Sequence, residues 1–285
     1  MTNAAISFRQ TNGGAGAFVE NVDLAAGLDT ATSQKIIEAL GEYGVLFFRD
    51  QHLIPQEHER FAEKLGTINI NRFFQPVEGH PRIAEVRKEP DQKYAIGEGW
   101  HTDHSYDQIP ALGSILLAKE LPNHGGDTLF ANMYLAYDAL SDGLKKILDG
   151  LEAEHSSRHR FGANSKAGSG KLDTTNRLGN SEKATQDAVH PVVIRHPISG
   201  KKALYVNDGF TLRFKGWTDA ESKPLLNYLY EHASKPEFTY RFEWQDGSIA
   251  MWDNRATWHK ALNDYHGERR LMHRITLEGV ALRSA

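Results

Sequence analysis

Three segments of this 285-residue chain carry side chains whose types and spacing could hold a metal and meet anions. The first is Trp100-His101-Thr102-Asp103. In an extended strand, residues two apart point to the same side. His101 and Asp103 can then present an imidazole and a carboxylate to one point. The chain has 14 histidines, so about one His-x-Asp triplet is expected by chance, and the triplet alone decides little. The second segment runs from Met251 to His259, where a turn at Asp246-Gly247 leads into a strand and then to His259. Two imidazoles and one carboxylate on one face of a metal leave three neighbouring positions open, the facial arrangement suited to Fe(II) that must bind a bidentate cosubstrate and O2. The third is Glu268-Arg269-Arg270-Leu271-Met272-His273-Arg274. On a strand, Arg270, Met272 and Arg274 share a face. Two guanidinium groups turned into one barrel are costly unless anions meet them, and arginine suits bidentate carboxylate recognition. The same ligands could serve a zinc hydrolase or a non-catalytic ligand-binding barrel. A hydrolase also needs a general base beside the metal, and no distinct candidate stands next to the triplet.

The elements that would position these residues are legible in part. Ala31 to Gly44 reads as a helix, with Ile36, Ile37, Leu40 and Tyr43 as its stripe. Val45 to Phe48 reads as a buried strand, and Pro55 to Leu65 as a second helix with proline in its first turn. Ser114 to Ala118 is an expected strand. Asn132 to Leu148 is an expected single helix capped by Asn132, with Leu135, Ala139, Leu140, Leu144, Ile147 and Leu148 facing inward. Residues 155–189 are rich in Ser, Gly, Asn, Lys and Asp and read as a loop or lid around 155–190, to which Arg158, Arg160 and Lys166 would lend positive charge. Short strands follow at 192–194, 203–206, 238–244, 248–252 and 273–278. Between them lies one helix, opened by the capping box Thr218-Asp219-Ala220-Glu221 and facing the core with Leu225, Leu226 and Leu229. Helices first and many short strands later predict a single domain over 1–285, mostly β with flanking helices, rather than βαβ alternation. Residues 167–172 resemble a phosphate loop but lack its leading glycine offset and its final Ser/Thr.

Composition narrows the classes. The chain holds no cysteine, which excludes disulfides, thiolate metal sites and thiol nucleophiles. Its net charge of −4, from 33 basic and 37 acidic residues, offers no general nucleic-acid or membrane surface. No apolar run approaches the length of a membrane span, and the N-terminus lacks the pattern of a secretory signal. A cytoplasmic protein is expected.

Taken together, Trp-His-Thr-Asp at 100–103, Gly-Gly-Asp-Thr at 125–128, Trp-Asp-Asn-Arg at 252–255, His259 and Arg-Arg-Leu-Met-His-Arg at 269–274 resemble the taurine/2,4-D dioxygenase (TauD/TfdA) family. The resemblance runs in order from about residue 15 to residue 280. It implies a double-stranded β-helix, a cupin-like jelly roll. It implies that His101, Asp103 and His259 ligate Fe(II), and that Arg270 and Thr128 hold the distal carboxylate of 2-oxoglutarate. Arg274 would then face the anionic head of a small organic acid, a sulfonate or a carboxylate such as an aryloxyalkanoate. The implied reaction consumes O2 and 2-oxoglutarate, releases succinate and CO2, and hydroxylates the substrate. A homo-oligomer, dimer or tetramer, is expected. The family's taurine enzymes carry a His and an Asn where this sequence has Asn71 and Gly97, so taurine itself is not the expected substrate. Asn71 and Phe210 are expected to line the substrate pocket. Trp100, Trp252 and Trp258 are expected to pack around the metal, with Asp253 and Asn254 hydrogen-bonding just outside it. His104, His155 and His273 are expected to be structural.

Overall fold

The computed structural model describes residues 5–162, 178 and 181–285. Strands β1 (Ser7–Gln10) and β2 (Ala17–Glu20) lead into α1 (Thr30–Tyr43), β3 (Val45–Phe48) and α2 (Pro55–Leu65). Next come β4 (Ile68–Asn69), β5 (Pro76–Val77), β6 (His80–Lys88), β7 (Gly113–Glu120) and β8 (Thr128–Asn132). They are followed by α3 (Met133–Asp138), α4 (Asp142–Leu148), β9 (Glu152–Ser156) and α5 (Arg158–Phe161). The chain continues with β10 (Asp187–Pro191), β11 (Val193–Arg195), β12 (Lys202–Leu204) and β13 (Thr211–Phe214). It closes with α6 (Asp219–Ala233), β14 (Thr239–Phe242), β15 (Ile249–Asp253), β16 (Thr257–Ala261) and β17 (Arg270–Leu277).

The large sheet runs β1-β2-β3-β15-β7-β17-β6-β5, with β4 also paired to β17. A second sheet runs β14-β8-β16. The two face each other across a core of Phe47, Leu116, Ala118, Phe130, Phe242, Ala250, Trp252 and Met272. Phe47 stacks on Phe242 with ring centroids 4.3 Å apart. The alternate residues of the large sheet, Leu46, Phe48, Ile115, Leu117, Ile249, Met251, Ile275 and Leu277, turn outward beneath α1 and α2, where Ile36, Leu40 and Phe61 cover them. Both faces of β3 are therefore buried, and its sequence is a continuous apolar run rather than an alternating one. Outside the small sheet, α3, α6, β11 and β12 form another core with Ala131 and Trp258. Two facing sheets with helices packed outside make the expected double-stranded β-helix.

Cap chemistry explains the helix starts. The Asp29 carboxylate accepts from Thr32 N at 2.6 Å. At α6 the Thr218 hydroxyl accepts from Glu221 N and the Glu221 carboxylate accepts from Thr218 N, which is the expected capping box.

Other expectations need correction. The expected helix over 132–148 is two. Asn132 does cap α3, but the chain breaks after Leu140, and the Ser141 hydroxyl caps α4 by accepting from Leu144 N. The break resets the helical phase, so Leu135 and Ile147 lie exposed while Tyr134 and Tyr137 are buried. The stretch 155–189 is not loop throughout. Its ends form β9, α5 and β10, and β9 pairs with β10 residue for residue from Ser156–Asp187 to Glu152–Pro191. Lys166 and the segment 167–172 lie outside the described residues. No helix among the described residues is long and apolar enough to cross a membrane.

Candidate active site

His101 and His259 meet as a cross-strand pair. His259 N donates to the His101 carbonyl at 2.8 Å and His101 N donates to the His259 carbonyl at 3.2 Å. Ala261 N donates to the Gly97 carbonyl at 2.8 Å, so residues 97–101 lie along β16. The His-x-Asp segment is thus not a strand of its own, as its spacing suggested. It touches β16 at His101, turns at once, and His104 takes a positive φ of 60°. Thr102 is held between the two groups. Its hydroxyl donates to the Asn254 carbonyl at 2.5 Å, and Asn254 N donates to the Leu112 carbonyl.

The result is a compact triad. One atom from each of His101, Asp103 and His259 lies within 4.8 Å of the others. His101 Nε2 is 3.8 Å from Asp103 Oδ1, and His259 Nε2 is 3.9 Å from Asp103 Oδ2. His101 Nδ1 sits 2.8 Å from the Gly99 carbonyl. A carbonyl only accepts, so Nδ1 carries the proton and Nε2 keeps its lone pair facing the carboxylate. Burial holds both imidazoles below their ordinary pKa, His259 strongly so. Burial opposes ionisation of Asp103, but Arg274, His259 and His101 outweigh it and hold this carboxyl below the usual carboxylate range. Two neutral imidazoles and one carboxylate are the donor set that Fe(II) takes. Gly209 makes room for the triad, because a Cβ there would stand 2.6 Å from His101 Cβ.

Of the two arginines of β17, Arg274 reaches the triad and Arg270 lies beside Trp244. Their parity is as expected: Arg270, Met272 and Arg274 are buried on the face between the sheets. Arg274 Nη1 lies 3.4 Å from Asp103 Oδ2, and its guanidinium covers the Phe74 ring at 4.3 Å. Its Nε is buried and has no hydrogen-bond partner among the described residues. Arg270 is 5% exposed, and its Nε and Nη2 are likewise without partners. Burial lowers its pKa, Tyr265 and Asp127 opposing. Trp244 Nε1 donates to Thr128 Oγ1 at 3.0 Å, and the same indole lies 5.5 Å from the Arg270 guanidinium. The Thr128 hydroxyl accepts from Trp244, so its own proton is free to donate elsewhere. Idle donors on a buried arginine, with a threonine hydroxyl tied to the same indole, fit a carboxylate arriving between them. Gly126, at φ +72°, allows this approach: a Cβ there would stand 3.2 Å from Arg270 Cδ.

Beside the triad opens a cavity of about 550 Å³. Asn71, Phe74, Tyr106, Phe161, Phe210, His101, Asp103 and Arg274 are among its lining residues. Asn71 and Phe210, expected to line the substrate pocket, both line this cavity. The Asn71 side-chain oxygen is already used, accepting from Phe73 N and Phe74 N. Phe210 lies edge-on to His101 at 6.3 Å. Arg160 also lines the cavity, donating to the carbonyls of Gly209 and Asp208, whereas Arg158 pairs with Asp187.

Three relatives give these features a context. Residues 8–276 match the family described as "Taurine catabolism dioxygenase TauD, TfdA family". The chain is 38% identical over 277 residues to an alkylsulfatase of Acinetobacter baylyi, covering 96% of this chain and 85% of the relative. It is 35% identical over 266 residues to an alpha-ketoglutarate-dependent sulfate ester dioxygenase of Pseudomonas putida, covering 93% and 86%. Its fold superposes on the crystal structure of AAD-2 in complex with Mn(II) and N-oxalylglycine with a TM-score of 0.79 at 28% identity, covering 99% of this chain and 100% of that one.

The chain belongs to the TauD/TfdA family. It is an Fe(II)- and 2-oxoglutarate-dependent dioxygenase that uses O2. Several residues of this dioxygenase behave differently from expectation. Trp252 packs 4.5 Å from the His259 ring, as expected, but Trp258 faces away into the outer core, 6.5 Å from Trp100. Neighbouring strand residues point to opposite faces, so Trp258 cannot share the side of His259. Asp253 does not reach the ligands: it is bound by Arg255 at 2.8 and 2.6 Å and by His196 at 3.0 Å, while Asn254 steadies Thr102. His104, His155 and His273 are buried beside other partners, His104 pairing with Asp107 at 2.8 Å. Trp244 and Tyr106 carried no signal in the sequence, because nothing local separates a wall aromatic from a core one.

Proposed function

We propose that the enzyme oxidises a small organic anion with an apolar tail, a sulfate ester or sulfonate ahead of an aryloxyalkanoate or other carboxylate. In this reading His101, Asp103 and His259 hold Fe(II), Arg270 and Thr128 hold the distal carboxylate of 2-oxoglutarate, and Arg274 holds the substrate's head. Asn71 and Phe210 form part of the wall. The observation that carries it is Arg274, a buried guanidinium beside Asp103 that lines a cavity with Phe74, Phe161 and Phe210 and whose Nε has no hydrogen-bond partner among the described residues. A buried charge with an unmade hydrogen bond is costly until an anion joins it. Phe74, Phe161 and Phe210 suit an alkyl or aryl tail and exclude water from it. Sulfate esters lead because two similar proteins are named for acting on alkyl sulfates or sulfate esters.

Bound Fe(II), with O2 and 2-oxoglutarate, supplies the oxidising power that hydroxylates a C–H bond and yields succinate and CO2. The chain's own residues decide which bond is presented. Arg274 stands next to Asp103, so an anion on Arg274 leaves its neighbouring carbon close to the triad. Hydroxylation at the carbon bearing a sulfate gives a product that collapses to an aldehyde and hydrogen sulfate; a sulfonate gives an aldehyde and hydrogen sulfite. The test is O2-dependent succinate formation with Fe(II), 2-oxoglutarate and a panel of hexyl sulfate, hexanesulfonate and phenoxyacetate. Substrate-dependent turnover with one sulfate, sulfite or phenol released per succinate is expected, and Arg274→Gln should raise the KM of the anion at least tenfold. No stimulation by any anion in the panel overturns the reading.

A further inference from the structure

Tyr106 stands three residues beyond Asp103 and lines the same cavity. Its ring is fixed from several sides, with Phe210 at 4.8 Å, Phe161 at 6.2 Å and Phe73 at 6.3 Å between centroids. Its hydroxyl is not fixed. It makes no hydrogen bond among the described residues, yet it is not sealed away as the hydroxyls of Tyr205 and Tyr230 are. Tyr106 is among the residues that line the cavity. The neighbouring Asp107 is already taken, accepting from Arg72 and His104 at 2.7 and 2.8 Å. A phenol left without a partner in an aromatic wall is destabilising unless a ligand or water meets it. Burial pushes its pKa up, with Asp107 and Asp103 adding to the effect, so the hydroxyl stays protonated and can donate. Asp103 and Arg274 line the same cavity.

This inference rests on the reading of the cavity as an anion-binding substrate site. There the reacting carbon lies at the triad and the anionic group at Arg274, with any linking atom between them. A sulfate ester has such an atom, the bridging oxygen, which accepts hydrogen bonds. A sulfonate has none, since its carbon is bonded directly to sulfur. We propose that Tyr106 is a specificity-determining residue that donates a hydrogen bond to the bridging oxygen of a bound sulfate ester and so favours sulfate esters over sulfonates. The same bond serves product collapse. As the C–O bond breaks, its electron pair passes to the bridging oxygen, the proton of the new hydroxyl passes to sulfate, and a carbonyl forms.

Tyr106→Phe keeps the ring and removes only the donor. The enzyme loaded with Fe(II) and 2-oxoglutarate is assayed in air for KM and kcat with hexyl sulfate and hexanesulfonate. Binding of the same two anions is measured calorimetrically without O2. The expected result is a rise of about tenfold in KM and Kd for the sulfate ester, about 1.4 kcal/mol. The sulfonate values should stay within about twofold, the margin set by a lost contact of a few tenths of a kcal/mol, and the KM for 2-oxoglutarate should not move. An equal rise for both anions, or no change in either, overturns the assignment. Failure of hexyl sulfate, hexanesulfonate and phenoxyacetate alike to bind or react in the unsubstituted enzyme overturns the reading of the site itself; failure of hexyl sulfate alone overturns this assignment.

Discussion

Asp103 and Arg270 solve opposite problems with buried charge. Asp103 is kept ionised because Arg274 and the two imidazoles outweigh the cost of burial. Arg270 has only Tyr265 and Asp127 to oppose the cost of its burial, and its Nε and Nη2 have no hydrogen-bond partner among the described residues; in the proposed function they meet a carboxylate. With Arg270 proposed for the cosubstrate and Asp103 for the metal, this asymmetry predicts separable phenotypes. Arg270→Ala should weaken 2-oxoglutarate binding about 100-fold, since a charge-assisted pair is worth about 1.5–3 kcal/mol. Metal binding by the same variant, followed calorimetrically, should stay within error of the unsubstituted protein. Joint loss of both affinities would mean that Arg270 supports the triad rather than the cosubstrate. The identities of these residues were readable from types and spacing. Their partners were not, because Trp244 reaches Thr128 across the small sheet's edge and leaves no local pattern.

At the scale of elements, the site depends on strand parity and on close backbone approach. The two-residue period of β17 puts Arg270, Met272 and Arg274 between the sheets and His273, Ile275 and Leu277 outside. One residue of slip would exchange these faces and expel both arginines. The turn before β13 supplies the second device, since Gly209 lies against His101. Gly209→Ala should displace His101 and weaken Fe(II) binding more than tenfold, about 1.4 kcal/mol. Gly150→Ala, where a Cβ meets nothing within 4 Å, serves as the control. Equal metal affinity in both variants would show that the loop yields to the methyl group. Local signals served well where caps or period carried them, as at Thr218 and along β3 and β17. They failed over 132–148, where the helical stripe looked continuous but Ser141 restarts the helix in a new phase.

The whole molecule carries several buried histidines, and they set its response to acid. Burial pushes His58 down to about 3 and His273 down to about 4, with His155 also lowered by burial. In each case the folded pKa lies below the unfolded value of about 6.5. Their contribution is therefore complete above about pH 6.5 and is lost as pH falls towards the folded values, by about 1.4 kcal/mol per pH unit for each proton the native state refuses. Urea unfolding between pH 7 and 4.5 should show this slope, and His58→Phe should flatten it by about one proton. An unchanged slope would show that His58 is protonated in the native state. Stability is a property of the assembled layers, and so is the site. The sequence by itself determined the residue types available, the absence of thiol chemistry, the parity of the β17 arginines, the helix caps and the family. Each of these is written within a few residues or in an ordered set of motifs. Only the tertiary structure decided that His101 and His259 meet as a backbone-bonded pair, that the Thr128 hydroxyl has its proton to spare, and that Tyr106 lines the cavity. Those outcomes depend on the register between distant strands, which no local pattern encodes, because the whole two-sheet core sets it through the burial of its side chains.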